Sequence, residues 1–138
     1  MSPLLFVICL EYFSILLHNR TKVPSFKFHP KCGILNISHV AYADDLMLFP
    51  RGDYPSIKVL INALDEFANV FGLKVNFDKS NIFLGGLADH DLTYILHMID
   101  FKEGTFPVRY MSIPLAPLKI VVAQYAPLLD SITNFITA

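Results

Sequence analysis

A chain of 138 residues is long enough for one domain with its own core, and a formal net charge of −1 excludes a free-standing module that grips nucleic acid by charge alone. Its 54% hydrophobic content and mean hydropathy of +0.48 are high for an independent soluble domain, since average usage is about 45–50% apolar. That leaves a membrane-associated protein or a core segment whose apolar faces meet other polypeptide.

The longest apolar stretch, residues 3–17, is broken by Glu11 and falls short of the roughly 20 residues that span a bilayer. It also lacks the basic start and small-residue cleavage site of a signal peptide. The core-segment reading is therefore preferred, and no membrane partner is expected. Cys9 and Cys32 form no CxxC pair and have no histidine at zinc spacing, which suits reduced thiols in an intracellular, cytoplasmic or nuclear protein.

Ser2 then Pro3 is a helix-start signal, an N-cap oxygen followed by a proline whose missing N–H costs nothing. The helix should run to about Leu17. Phe6, Cys9, Leu10, Phe13 and Leu17 form one stripe with Leu5, Ile8 and Ile15 beside it, so burial on several sides is expected. His18-Asn19-Arg20 suit its polar C-terminal end. Pro24 and Pro30 bracket Phe26-Lys27-Phe28, an alternating short strand, and Gly33 turns the chain toward two short apolar segments, residues 39–43 and 46–49. Residues 50–53 read as a loop.

Ile57, Leu60, Ile61, Leu64, Phe67, Ala68 and Phe71 recur at three and four residues and give the clearest helix of the chain. Asp53 or Ser56 can cap its start, and Gly72 is placed for a left-handed stop. Leu73, Val75 and Phe77 alternate as a strand, and residues 81–84 form a second one ended by Gly85-Gly86. Asp89 can cap a short helix carrying Leu92, Ile95, Leu96 and Ile99. Residues 101–104 read as a turn and 108–113 as a strand. A final helix over about 121–136 is expected to be kinked or divided at Pro127. The order helix, hairpin, helix, hairpin, helix is an α+β pattern, an antiparallel sheet with helices on one face.

The tetrapeptide Tyr42-Ala43-Asp44-Asp45, followed by Leu46-Met47-Leu48-Phe49, is the most informative motif. It puts two carboxylates at a strand reversal, where they can share a hard divalent cation. Adjacent carboxylates repel, so the pairing invites a cation. The plainer reading is a polar turn, since Asp is a common turn former. A second signal is electrostatic: residues 18–43 hold Arg20, Lys22, Lys27 and Lys31 and no acidic residue, a local charge of +4. That stretch can track a phosphate backbone or be a solvated hairpin. The histidines His18, His29, His39, His90 and His97 have no metal-ligand spacing, and His39 reads as a half-buried packing residue.

Taken together, several segments resemble a known family in the right order. Tyr42–Asp45 between apolar strands resembles the catalytic hairpin of reverse transcriptases. Ser2-Pro3-Leu4-Leu5-Phe6 looks like the end of that family's preceding motif. Gly72-Leu73-Lys74-Val75-Asn76-Phe77-Asp78-Lys79-Ser80 is similar to the motif that follows the hairpin. Phe106-Pro107-Val108-Arg109-Tyr110-Met111-Ser112-Ile113-Pro114-Leu115 resembles a later Tyr-Leu-Gly-x-Pro-Leu element, with Met111-Ser112 standing where Leu-Gly is usual. The resemblance is to the non-LTR (LINE-type) retrotransposon enzyme in its plant form, and it covers nearly the whole chain. It implies a partial polymerase palm over residues 1–131, with 132–138 the end of a truncated C-terminal helix.

The same resemblance implies roles. Asp44 would be a direct Mg2+ ligand and Asp45 a weaker or outer one, with Ala43 keeping the approach small. Tyr42 would pack near the primer end or be a core aromatic. Lys79 would donate a proton to, or offset charge on, the leaving pyrophosphate, or be a surface lysine after a strand. Arg109 would touch the primer strand or border the last sheet. From the basic run rather than from the resemblance, Lys27 and Lys31 are candidates to contact nucleic acid or belong to a solvated hairpin. RNA template and DNA primer are the partners implied for the parent enzyme. Fingers and upstream palm segments would cover the apolar faces. The family's first metal-binding Asp lies upstream of the motif that Ser2-Pro3 ends, so the magnesium site is expected to be weak and the chain alone inactive. The alternatives are a non-catalytic remnant that holds RNA or an RNA–DNA hybrid, and a non-functional transposon-derived product whose exposed apolar faces make it aggregate.

Overall fold

Two long helices, the first apolar nearly all round and the second amphipathic, pack together and provide the floor on which a β-hairpin lies. In the computed structural model, which describes residues 2–110, 113–116, 119 and 121–137, α1 spans Pro3–Arg20 and α2 spans Tyr54–Phe71. The chain divides into two compact units, Met1–Asn76 and Phe77–Ala138.

In the first unit, Cys9, Phe13 and Leu17 of α1 pack against Leu60, Ala63 and Phe67 of α2, with Phe26 closing the cluster. The Phe13 and Phe67 rings lie 4.8 Å apart. Each such large apolar side chain taken fully out of water contributes about 1.5–3 kcal/mol. The rest of α1 departs from expectation. Leu4, Leu5, Val7, Ile8 and Ile15 are exposed, so one stripe is buried rather than several sides. The helix also runs to Arg20, beyond Leu17, because nothing before Thr21 breaks it. Ser2 occupies the N-cap position with extended backbone, yet its side chain makes no capping bond; its carbonyl accepts from the Phe6 N–H. By length and composition α1 is apolar enough to cross a membrane, but its Cys9–Phe13–Leu17 stripe lies in the core of this unit.

The boundaries of α2 follow its sequence signals. The Asp53 side chain accepts from the Ser56 N–H at 3.0 Å, and Gly72 takes a left-handed φ of 65°. The Leu73 N–H then reaches back to the Ala68 carbonyl at 2.9 Å, closing the six-to-one bond of a Schellman stop. Ser56 is itself fully buried and accepts the Lys27 N–H, tying the start of α2 to the residues around Phe28.

Between the helices, one 3-10 turn (Gly33–Leu35) leads into β1 (His39–Tyr42), which pairs antiparallel with β2 (Asp45–Leu48). The register matches His39 with Leu48, Val40 with Met47, Ala41 with Leu46 and Tyr42 with Asp45. The Phe49 N–H donates to the Ser38 carbonyl and prolongs the ladder. The expected strand around Phe28 is reduced to a single bridge with Pro50. Ala43 and Asp44 make the two-residue turn, and Ala43 has a φ of 51°, the left-handed conformation that side chains other than glycine resist.

His39 fastens this hairpin to α1. The Ser14 hydroxyl donates to the Leu10 carbonyl at 3.0 Å, so its oxygen is left to accept from His39 Nε2–H at 2.9 Å. The network thereby assigns the imidazole tautomer, and Nδ1 accepts from the Ser38 hydroxyl at 3.1 Å. Burial holds the His39 pKa below the usual imidazole range.

In the second unit, β3 (Asn81–Ile82) pairs with β4 (Lys102–Glu103), and β5 (Val108–Tyr110) with β6 (Ile113–Leu115). α3 covers Asp89–Met98, and α4 (Val122–Thr137) lies against β6. Several expectations are corrected. Residues 73–77 form no strand, and the β3–β4 pair is parallel, with β4 inside the segment read as a turn. The Gly104 N–H continues that pairing to the Ile82 carbonyl, and the Phe83 ring lies so close over Gly104 that a Cβ there would displace it. Ala88, not Asp89, stands at the N-cap of α3. The segment read as one strand over 108–113 instead supplies β5 and the first residue of its antiparallel partner β6, and Pro127 lies inside an undivided α4. Met111 and Ser112, where the Leu-Gly substitution falls, lie outside the described residues. The fold is a mixed α+β arrangement of helices and small, mostly antiparallel sheets, as in part of a polymerase palm.

Two outcomes are expected. Replacing Ala43 with Gly removes the left-handed penalty and should stabilise the hairpin by about 0.5–1 kcal/mol net of glycine's extra unfolded-state freedom. Slower amide hydrogen exchange across residues 40–47 reads this, and unchanged or faster exchange contradicts it. Because the His39 pKa is lowered in the folded state, the unfolded chain binds that proton more readily. Its contribution is present above the ordinary imidazole value, about 6.5, and is lost as the pH falls through the lower folded value. The urea midpoint of the first unit should drop between about pH 7 and pH 5, and His39→Gln should flatten that drop; an equal drop in the variant contradicts the reading.

Candidate functional site

Strand alternation decides what the hairpin shows to solvent. His39, Ala41, Leu46 and Leu48 share one face, and Leu46 and Leu48 pack on the helical core. Val40, Tyr42, Asp45 and Met47 therefore share the opposite face. Asp45 is the first residue of β2 and stands directly across from Tyr42, while Asp44 occupies the turn itself. The two carboxylates are thus adjacent but not equivalent, one on the strand face and one at the tip.

Both aspartates are exposed, and none of the ion pairs described reaches either of them. Tyr42 is 57% exposed, so it is not a core aromatic. Water screens the repulsion between the two acids at this position, and the tip stays open to a cation or to a polyphosphate-bound cation. Among the described residues, however, no group of three or more His, Cys, Asp or Glu side chains comes together to hold a metal ion. Magnesium keeps its water reluctantly exchanged and needs more anchoring than two exposed carboxylates supply. The side chains brought together here do not make a closed magnesium site.

The other sequence-derived positions are dispersed. Lys27 is exposed beside the Phe28 bridge, its backbone held by Ser56 and by the Arg51 N–H. Lys31 lies in the following turn, where its N–H donates to His29 Nδ1. Lys79, in the second unit, is exposed in the turn that precedes β3. Arg109 is exposed at the centre of β5, opposite Pro114. Within the first unit, then, Tyr42, Asp44 and Asp45 are brought together, and Lys27 and Lys31 sit on the loop that leads to the hairpin.

Sequence reasoning missed the serine pair that fixes His39. Ser14 lies on α1 and Ser38 just before β1, and neither carries a spacing signal that would join them. It also missed a cleft of about 530 Å3 whose lining includes His18, Lys22, Asn36 and His39. Only the acid-free charge run hinted at that feature.

No solved structure matches the chain. The family model described as reverse transcriptase (RNA-dependent DNA polymerase) matches residues 1–115, which takes in the whole first unit, the carboxylate hairpin, and the second unit through β6. Enzymes of that family generally use Mg2+ and act on RNA and DNA. With well over half of its length matched, the chain belongs to the reverse transcriptase (RNA-dependent DNA polymerase) family.

Proposed function

We propose that residues 1–131 are part of the palm of an RNA-directed DNA polymerase from a non-LTR, LINE-type retrotransposon of the plant form. The observation that carries this reading is the hairpin, which turns Tyr42, Asp44 and Asp45 outward while its other face rests on the helices. Supporting the finer assignment are the order and spacing of the four motif-like segments in the sequence.

In that reading Asp44 would be the direct cation ligand and Asp45 the outer one. Tyr42, open on the same face as Asp45, would lie beside the primer terminus. Lys79 would face the leaving pyrophosphate, and Lys27, Lys31 and Arg109 would contact the nucleic acid. RNA template and DNA primer are the partners, in the cytoplasm or nucleus. Two carboxylates are too few to hold the pair of ions that nucleotidyl transfer uses, so these 138 residues alone do not extend a primer.

Two measurements test the reading. Purified wild-type chain and Asp44→Ala should give the same background in a primer-extension assay with Mg2+; incorporation by the wild type above the variant overturns the proposed inactivity. Residues 39–49 grafted in place of the hairpin of an active reverse transcriptase should preserve extension. Asp44→Asn in that chimera should lower activity about a hundredfold or more, since a cation bound there supplies several kcal/mol to the transition state. A chimera insensitive to Asp44→Asn contradicts the assigned role.

A further inference from the structure

The first unit contains a concave feature separate from the carboxylate tip. A cleft of about 530 Å3 opens between the C-terminal end of α1 and residues 36–39, within the range of sites that hold small ligands. It lies at the base of β1, whereas the aspartates lie past its far end, about 13 Å away along an extended strand.

The lining has two parts. Phe28 and Ile37 offer apolar surface, and Phe28 is held edge-on against Phe26 with ring centroids 5.0 Å apart. His18, Lys22 and Asn36 offer polar donors. No acidic side chain lines the cleft, and none occurs anywhere in residues 18–43. Lys22 Nζ gives one hydrogen to Asn19 Oδ1 at 3.4 Å, and an ammonium has two more to give. The hydroxyls of Ser14 and Ser38 are committed to the His39 relay, so the anion-facing donors are Lys22, His18 and Asn36.

One effect opposes an anion here, because the carbonyl end of α1 carries partial negative charge. The structure offsets it. The Leu17 carbonyl accepts from the Thr21 N–H, the His18 carbonyl from the Thr21 hydroxyl, and the Asn19 carbonyl from the Lys22 N–H. With those carbonyls engaged, the side-chain cation governs the local sign.

A site that pairs an aromatic wall with a cationic rim fits an amphipathic anion with a flat apolar part. In a chain of a family that acts on RNA and DNA, a phosphorylated nucleoside is an anion of that kind. We propose that this cleft binds one nucleoside-phosphate unit, its base against Phe28 and Ile37 and its phosphate at Lys22, His18 and Asn36. The unit is either a free nucleotide or one residue of an RNA strand that passes the base of the hairpin.

The test titrates the full chain with adenosine 5′-monophosphate, inorganic phosphate and a 12-nucleotide RNA, following backbone amide signals. Adenosine 5′-monophosphate should shift Lys22, Asn36 and His39 and bind at least tenfold tighter than inorganic phosphate. Lys22→Glu and Asn36→Asp should each weaken it at least tenfold. Lys22 is exposed and Asp tolerates the left-handed φ of 52° at position 36, so both variants should fold. Asp44→Asn should leave this binding unchanged, which separates the fate of the cleft from that of the polymerase reading. RNA displaced by the mononucleotide identifies a strand as the source, and mononucleotide binding without RNA binding identifies the free nucleotide; both support the site. Inorganic phosphate binding as tightly, wild-type affinity in the two cleft variants, or RNA that the mononucleotide cannot displace would each overturn it.

Discussion

The packing of one hairpin face onto the shared apolar core of two helices is the constraint from which the rest follows. Leu46 and Leu48 are drawn onto the Phe13, Leu17, Leu60 and Phe67 cluster, and alternation then sends Tyr42 and Asp45 the other way. A slip of one residue in register would bury Asp45 and expose Leu46. The hydrophobic effect therefore sets the orientation of the carboxylates without any direct contact to them. His39 adds a polar fastening to the same face, with Ser14 on the helix and Ser38 on the approach to the strand.

This division of labour explains a family member in which the core is ordinary and the tip is strained. Ala43 adopts a left-handed φ in the two-residue turn, directly before the two acids. That backbone conformation costs stability that the packed face must offset. The exposed apolar side chains of α1 belong to the same picture. Leu4, Leu5, Ile8 and Ile15 are apolar far beyond what this unit buries, in keeping with the high overall hydrophobic content.

Much of the first unit was legible in the sequence. The three-and-four recurrence from Ile57 to Phe71, the Asp53 cap and the Gly72 stop each appear where the residues place them, because cap and period are local signals. The hairpin was legible to within a residue at each end. What was not legible depends on distant partners. The serine bonds to His39 join positions 25 residues apart or neighbours across a bend, and no periodicity announces them. The alternation of Leu73, Val75 and Phe77, at the boundary of the two units, found no partner strand and stayed irregular. Lys102 and Glu103, which look like turn residues, instead pair in parallel with Asn81 and Ile82. Ladders of two residues leave too short a pattern to read, and tertiary contacts decide them. Asp45 was taken as a tip residue from its neighbour; only the register shows that it begins the strand and faces Tyr42.

The central claim is that packing presents Asp44 and Asp45 together, outward and uncompensated, at the end of this hairpin. Paramagnetic broadening of backbone amide signals by Mn2+ reads it most directly. The expected result is selective broadening of residues 43–46 that saturates only at millimolar metal and disappears in the Asp44→Asn, Asp45→Asn double variant. Broadening spread evenly over the other exposed acids, or unchanged in the double variant, would contradict it.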